Sequence, residues 1–289
     1  MACAICDDTG WKTVDVDGVP RVERCDCWHQ RLYDSLLKEA RIPRRYAHCE
    51  FSNFDLHTDS QREAHKKAAA LVDKFPVNSD RGLLFFGDHG VGKTHLAAAL
   101  LKELIRRKGA RAVFFESREL LKIVRDTYSN DSQITELEAL KPALEAEVLV
   151  LDDLGAEKKS EWVSETLGLI VNTRYSEKRV TIITTNLADV DNTEPTSFAF
   201  QLGLRIRSRL LEMCDWIRIE GVDTREVGPQ PTHEQIARWQ QTSPGSPKNR
   251  PKGSLPSRTA GQARASLKPR ASDSQSSDLK WPGGRAGSR

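Results

Sequence analysis

The stretch of this sequence with the clearest chemistry is Gly87-Asp88-His89-Gly90-Val91-Gly92-Lys93-Thr94. It follows an apolar run, Leu83-Leu84-Phe85-Phe86, and precedes a helical pattern of Leu96, Leu100, Leu101 and Leu104. Strand, glycine-rich loop and helix in that order make a phosphate cradle. Gly87, Gly90 and Gly92 permit the tight turns that aim backbone N–H groups at an anion. The helix behind them adds the positive end of its dipole. Lys93 can reach the β- and γ-phosphates of a nucleotide, and the Thr94 hydroxyl can ligate Mg²⁺. A chance glycine-rich turn would not also end in Lys-Thr, so the pattern predicts nucleotide binding.

A second group of chemically able residues lies 59 positions downstream of Lys93, at Asp152-Asp153. These follow Val148-Leu149-Val150-Leu151, a continuous apolar run of the kind that forms a parallel strand buried on both faces. Ligands of open parallel sheets sit at the carboxyl ends of strands. One carboxylate there can hold Mg²⁺, directly or through water, and its neighbour can polarise an attacking water. A later strand over Val180 to Thr184 ends in Thr185-Asn186, which also suits a plain turn. Its place in the chain order makes Asn186 a candidate contact for the γ-phosphate or the lytic water. Arg205, Arg207 and Arg209 crowd a helical pattern over 205–211, where solvated surface charge is the ordinary explanation.

Four of the six cysteines, Cys3, Cys6, Cys25 and Cys27, form C-x2-C, eighteen residues, then C-x-C. Asp17-Gly18 between alternating valines predicts a β-hairpin that brings the two pairs together at its base. Four thiolates there make a tetrahedral Zn²⁺ site of the zinc-ribbon kind. The tight second pair leaves His29 as an alternative to Cys27. Redox-active or simply free thiols are the competing readings, and four closed ligands argue against catalytic zinc.

Other elements must position these groups. A short helix over 31–40 carries Leu32, Leu36 and Leu37 on one side, and Pro43 stops it. Phe51 and Phe54 suit either an adenine contact or ordinary core anchoring. A helix over 61–75 turns Ala64, Ala68, Leu71 and Val72 inward. Gly109 caps the helix after the cradle. A strand over 112–115, a helix over 119–128 and a strand over 216–219 complete an α/β pattern, which Asp223-Thr224-Arg225 closes.

Taken in order, GDHGVGKT, VLVLDDLGAEKKSEW, TIITTN, LGLRIRSRLLEMCDW and the final DTR resemble the DnaC/IstB-like group of AAA+ ATPases. CAICDDTGW with RCDCW resembles the zinc-binding front end of bacterial members of that group. The resemblance covers about residues 1–228. It implies an α/β fold with a five-stranded parallel sheet flanked by helices, and homo-oligomeric rings or spirals in the ATP state. It implies Asp152 as the Mg²⁺-side Walker B acid, Asp153 as the catalytic acid and Asn186 as the sensor. Arg209, with Arg205 beside it, would be the finger that reaches a neighbour's γ-phosphate, and Arg225 the second sensor. Two positions depart from the pattern: Asp153 stands where many AAA+ proteins carry Glu, and Thr224 where this group often has Tyr. The implied work is ATP hydrolysis in loading a replicative hexameric helicase onto single-stranded DNA, with Lys122, Arg125 and Tyr128 of the 119–128 helix on the strand. A transposition helper ATPase and an ATP-binding adapter with negligible turnover are the alternatives. A small-molecule kinase fits poorly, given the two arginine motifs.

Composition bounds these readings. The chain of 289 residues carries a net charge of +3, yet residues 241–289 hold ten Lys and Arg against Asp273 and Asp278. A mildly acidic body therefore precedes a basic tail rich in Ser, Pro and Gly, which predicts disorder and nonspecific nucleic-acid binding or mere solubilisation. Trp281 is its isolated aromatic. No apolar run of eighteen residues and no secretory signal pattern exist, which predicts a cytoplasmic protein with reduced thiols and no membrane contact. The expected domains are a zinc-binding hairpin at 1–30, a helical linker at 31–60, the ATPase at 61–228 and a disordered basic tail at 229–289.

Overall fold

A computed structural model of the chain describes residues 2–77, 81–129, 133–189, 194, 197–228 and 232–242. Most of the basic tail, Trp281 included, lies outside them. Strands β1 (Trp11–Val16) and β2 (Val19–Arg24) pair antiparallel about Asp17-Gly18, as the alternating valines predict. The Arg24 guanidinium lies between two indoles, 3.7 Å from the Trp11 ring centroid and 4.4 Å from that of Trp28. This small sheet leads directly into helix α1 (Asp26–Glu39), with Cys25 as its N-cap residue. The expected start of that helix, residue 31, is thus five residues late. Asp26 in the first turn favours the helix dipole, so the helix begins inside the cysteine cluster and places Cys27 on its first turn.

The main sheet holds β3 (Gly82–Phe86), β4 (Ala112–Glu116), β5 (Val148–Asp152), β6 (Val180–Thr185) and β7 (Cys214–Arg218). Their order is β4-β5-β6-β3-β7, and every pairing is parallel. The last strand begins two residues before the expected Trp216, because Cys214 and Asp215 pair with Gly82 and Leu83.

Successive residues of each strand face opposite layers. On one side Leu83, Phe85, Phe114, Val150 and Ile182 pack on α1, α2 (Asp59–Lys74) and α3 (Lys93–Lys108). Ala64, Ala68, Leu71 and Val72 of α2 are buried there, as the helical spacing predicts. Leu96, Leu100 and Leu104 of α3 are fully buried, each contributing about 1.5–3 kcal/mol by leaving water. Gly109 closes α3 in the left-handed conformation.

On the other side Leu84, Phe115, Leu149, Leu151 and Ile183 pack on α4 (Ser117–Asp126), α5 (Glu136–Glu145) and α6 (Glu161–Ser176). Helices α7 (Phe198–Leu202) and α8 (Leu204–Met213) complete that layer. Helices α5 and α6 are additions to the sequence reading. A Thr135–Glu138 capping box starts the first, and the Ser160 side chain caps the second. Arg174 of α6 is fully buried, its guanidinium donating to Thr181 Oγ1 and to the carbonyls of Ala143, Ala146 and Val180.

Two further expectations shift. Helix α4 ends at Asp126, so Tyr128 stands in the turn beyond it rather than on the helix. After the short helix α9 (Thr224–Val227), residues His233–Thr242 form helix α10 inside the segment expected to be disordered from 229. A reciprocal cap explains it: the Thr232 amide donates to Gln235 Oε1, and the Gln235 amide to Thr232 Oγ1. Among the described residues no helix is long and apolar enough to cross a membrane.

Candidate nucleotide site and cysteine cluster

The cradle Gly87–Thr94 connects the carboxyl end of β3 to α3, between β6 and β7 in the sheet. Gly92 is the N-cap of α3 at φ 98°, and no side chain caps that end, which leaves first-turn N–H groups for an anion. The two later glycines are also spatially forced. A Cβ on Gly90, at φ 69°, would lie 1.7 Å from Asp223 Oδ1, and one on Gly92 would lie 2.7 Å from Phe54 Cε2. Phe54 therefore braces the loop from below, stacked on His65, and acts as a core anchor.

Lys93 is 7% exposed, and its ammonium donates to the carbonyls of Gly87 at 2.9 Å and Asp88 at 2.6 Å. Its third bond goes to Asn186 Oδ1 at 2.7 Å, and Asn186 Nδ2 donates to Asp153 Oδ1 at 2.8 Å. Lysine, sensor candidate and acid candidate thus form one chain of hydrogen bonds across three strand ends. Burial pushes the Lys93 ammonium down to about 8, with the Arg225 charge acting the same way and Asp153, Asp88 and Asp152 opposing it.

Asp152 ends β5 in a buried position and accepts from Thr184 Oγ1 at 2.5 Å. Burial raises its carboxyl above the usual carboxylate value, the charge of Asp153 adds to this, and hydrogen bonds from Thr184 and Thr94 oppose it. Asp153 follows at φ 54°, its amide held by Thr184 Oγ1 at 2.9 Å. Thr184 thus fixes both acids through one hydroxyl. No motif marks it; only its position two residues before Asn186 hints at it.

The closing Asp223-Thr224-Arg225 meets the cradle directly. Thr224 donates to the Gly90 carbonyl through its amide at 3.2 Å and its hydroxyl at 2.9 Å. Gln61, which no sequence signal singles out, donates to the Val91 carbonyl at 3.3 Å. The arginines of α8 are placed elsewhere. Arg207 pairs with Asp189 at 2.7 Å, Arg205 is exposed, and Arg209 lies over the Tyr175 ring at 5.8 Å. Nη1 of Arg209 is buried with no hydrogen-bond partner among the described residues.

The sulfur atoms of Cys3, Cys6, Cys25 and Cys27 all lie within 4.8 Å of one another. Cys3 and Cys25 are 3.8 Å apart, and Cys6 and Cys27 3.2 Å. A tetrahedron with Zn–S bonds of about 2.3 Å has sulfur–sulfur edges of about 3.8 Å, so this donor set fits zinc. His29 instead packs edge-on against Trp28, outside that group of four. Arg31 Nη2 donates to Cys27 Sγ at 3.2 Å, an outer contact of the kind that would steady a thiolate ligand.

A family model described as IstB-like ATP binding protein matches residues 22–227. The chain belongs to this family. It is a DnaC/IstB-like AAA+ ATPase. The replicative helicase loader DnaC of Escherichia coli (strain K12) is 31% identical over 141 residues, covering 49% of this chain and 56% of that protein. The chain thus matches little more than half the length of that relative. The crystal structure of the DnaC helicase loader superposes at a TM-score of 0.56 with 33% identity, covering 62% of this chain and 100% of that one. The crystal structure of DnaI gives 0.53 and 27%, covering 62% of this chain and 95% of that one.

Proposed function

We propose that this protein is an ATP-dependent DNA replication protein of the helicase-loader type. It binds ATP with Mg²⁺, hydrolyses it in a homo-oligomer, and engages single-stranded DNA and a replicative hexameric helicase. The observation that carries this reading is the hydrogen-bonded series Lys93–Asn186–Asp153, laid beside Asp152 and Thr94 at the open end of the sheet.

In this reading Lys93 turns its donors from the Gly87 and Asp88 carbonyls to the phosphates. The free amides of the cradle and of the first turn of α3 hold the same anion. Thr94 and Asp152 would hold Mg²⁺, whose charge when bound offsets that of the phosphates. Asp153 orients and accepts a proton from the attacking water, and Asn186 reports the γ-phosphate to it. Arg225 completes the site on the DTR side. Arg209, whose Nη1 has no hydrogen-bond partner among the described residues, supplies positive charge to the next subunit's site.

Single-stranded DNA has a suitable platform beside α4. Arg125 lies over the Trp162 ring at 4.9 Å, and Trp162 Nε1 donates to the Tyr128 hydroxyl at 3.2 Å. Tyr128, in the turn after α4, is 56% exposed, and Lys122 is exposed on α4. Exposed aromatic and cationic groups together suit base stacking and backbone contact. Four thiolates hold one Zn²⁺ in the hairpin module, separate from the chemistry. The proposed units are the hairpin with the start of α1, the linker to residue 60 and the ATPase at 61–228.

The test is ATP turnover by the full chain with and without an oligothymidine strand, followed by recovery of bound proteins from its own cells. Strand-stimulated turnover and a captured hexameric helicase are the expected results. Background turnover in both conditions, with ATP still bound, leaves an adapter; a captured transposase instead marks a transposition helper.

A further inference from the structure

We propose that His48, Cys49 and His95 form a second metal site, suited to zinc, that joins the linker to the first turn of α3. Their ligating atoms all lie within 4.8 Å of one another. Cys49 Sγ is 3.9 Å from His48 Nε2, and the His48 and His95 rings meet edge-on with centroids 6.0 Å apart. One thiolate and two imidazoles are a donor set for a borderline-soft ion such as Zn²⁺, and three protein ligands leave the fourth position to water. The nucleotide chemistry uses none of the three residues.

The surroundings separate this cluster from ordinary packing. Cys49 is 1% exposed and sits in the core layer under α3, where a small apolar residue alone would serve. Its sulfur nevertheless faces the half-buried to exposed side, where His48 and His95 approach it. Second-sphere groups for the imidazole of His95 are already placed: its Nε2 is 2.9 Å from Asn53 Oδ1 and 3.3 Å from the Glu50 carbonyl. Such contacts orient a metal-binding ring. Lys102 beside the cluster is engaged by the Ala47 and Cys49 carbonyls and by Glu50 at 3.7 Å.

The location gives the ion a job. His95 directly follows Lys93-Thr94, while the linker that bears His48 and Cys49 also bears Phe54, the ring beneath Gly92. An ion bridging the two would clamp the linker against the phosphate cradle. Zinc bound here would therefore raise the thermal midpoint of the ATPase body itself, because it binds only the folded arrangement.

Metal counting on the full chain decides the matter. Protein loaded with Zn²⁺ and freed of excess should hold about two ions per chain, one on the four cysteines and one on His48, Cys49 and His95. His48→Ala and Cys49→Ser should each lose one ion, and Cys25→Ser should lose the other. His48 is exposed, so its substitution leaves the fold intact and guards against a merely unfolded Cys49→Ser. Added Zn²⁺ should raise the melting midpoint of Cys25→Ser, and the shift should vanish in Cys25→Ser/His48→Ala. A single ion that Cys25→Ser abolishes, or equal zinc content in the parent and both linker variants, would overturn the site. A single ion kept by Cys25→Ser but lost in Cys49→Ser would uphold it and remove the hairpin site instead.

Discussion

The Lys93 ammonium donates to the side-chain oxygen of Asn186 at 2.7 Å, although 93 positions separate the two in the chain. Asn186 passes the connection to Asp153 through its amide, so the phosphate cradle and the candidate catalytic acid share one rigid intermediary. Each member can be removed separately.

Lys93→Ala should abolish ATP binding. Asp153→Asn and Asn186→Ala should keep binding and lose turnover, by about 10²–10⁴-fold for the acid if it serves as general base. Nucleotide affinity by fluorescence titration, beside steady-state turnover, separates the two classes. Parental turnover in Asp153→Asn would remove that carboxylate from the chemistry.

Affinity for ATP should fall as pH rises above about 8. Only the charged lysine attracts phosphate, and burial holds its pKa near that value. The decline should approach tenfold per pH unit and should flatten in Lys93→Arg, whose side chain stays charged. The stability effect has the opposite sign. Below about 8 the buried ammonium costs stability, and this cost fades as pH rises toward the ordinary lysine value of 10.5. Paired binding titrations and melting curves from pH 7 to 9.5 check both directions.

Cys25→Ser should release the hairpin zinc and unfold residues up to the start of α1, because structural zinc supplies on the order of 10 kcal/mol to such a module. Cys25 is fully buried at the N-cap position of α1 without a capping bond of its own, so α1 beyond its first turn should persist. Nucleotide binding should survive. Freshly purified protein without zinc would exclude the hairpin site.

Arg209→Ala should lose turnover by about 10³–10⁵-fold while still binding ATP, the range for a finger supplied by a neighbour. Specific activity of the parent should rise with protein concentration. Mixing Arg209→Ala with Lys93→Ala should restore partial activity, since one variant brings intact cradles and the other intact fingers. A dead mixture, with parental activity independent of concentration, would leave Arg209 as a helix charge packed on Tyr175.

The local signals were fully readable before any tertiary contact was known. Gly87–Thr94, Asp17-Gly18, the continuous valine–leucine run before Asp152 and the cap at Gly109 each depend on backbone preferences of adjacent residues or on helical and strand periods. The four cysteines also belong here, since a single tight turn suffices to bring their pairs together. Helix boundaries were less readable. Asp26 and Ser117 start helices earlier than apolar spacing suggests, and α10 rests on a cap rather than on a long apolar stripe.

What only the tertiary structure decided concerns residues brought together by the sheet order β4-β5-β6-β3-β7. Placing β6 beside both β5 and β3 sets Asn186 between Asp153 and Lys93 and lets the one hydroxyl of Thr184 serve two acids. Placing β7 beside β3 carries Asp223 and Thr224 onto Gly90. The same packing settles Phe54 as a brace beneath the cradle and gathers His48, Cys49 and His95 at the foot of α3. Side-chain period and turn chemistry act over a few residues, whereas strand order follows from burying two apolar faces at once across the whole chain. Contacts spanning 93 positions therefore had no local signature to betray them.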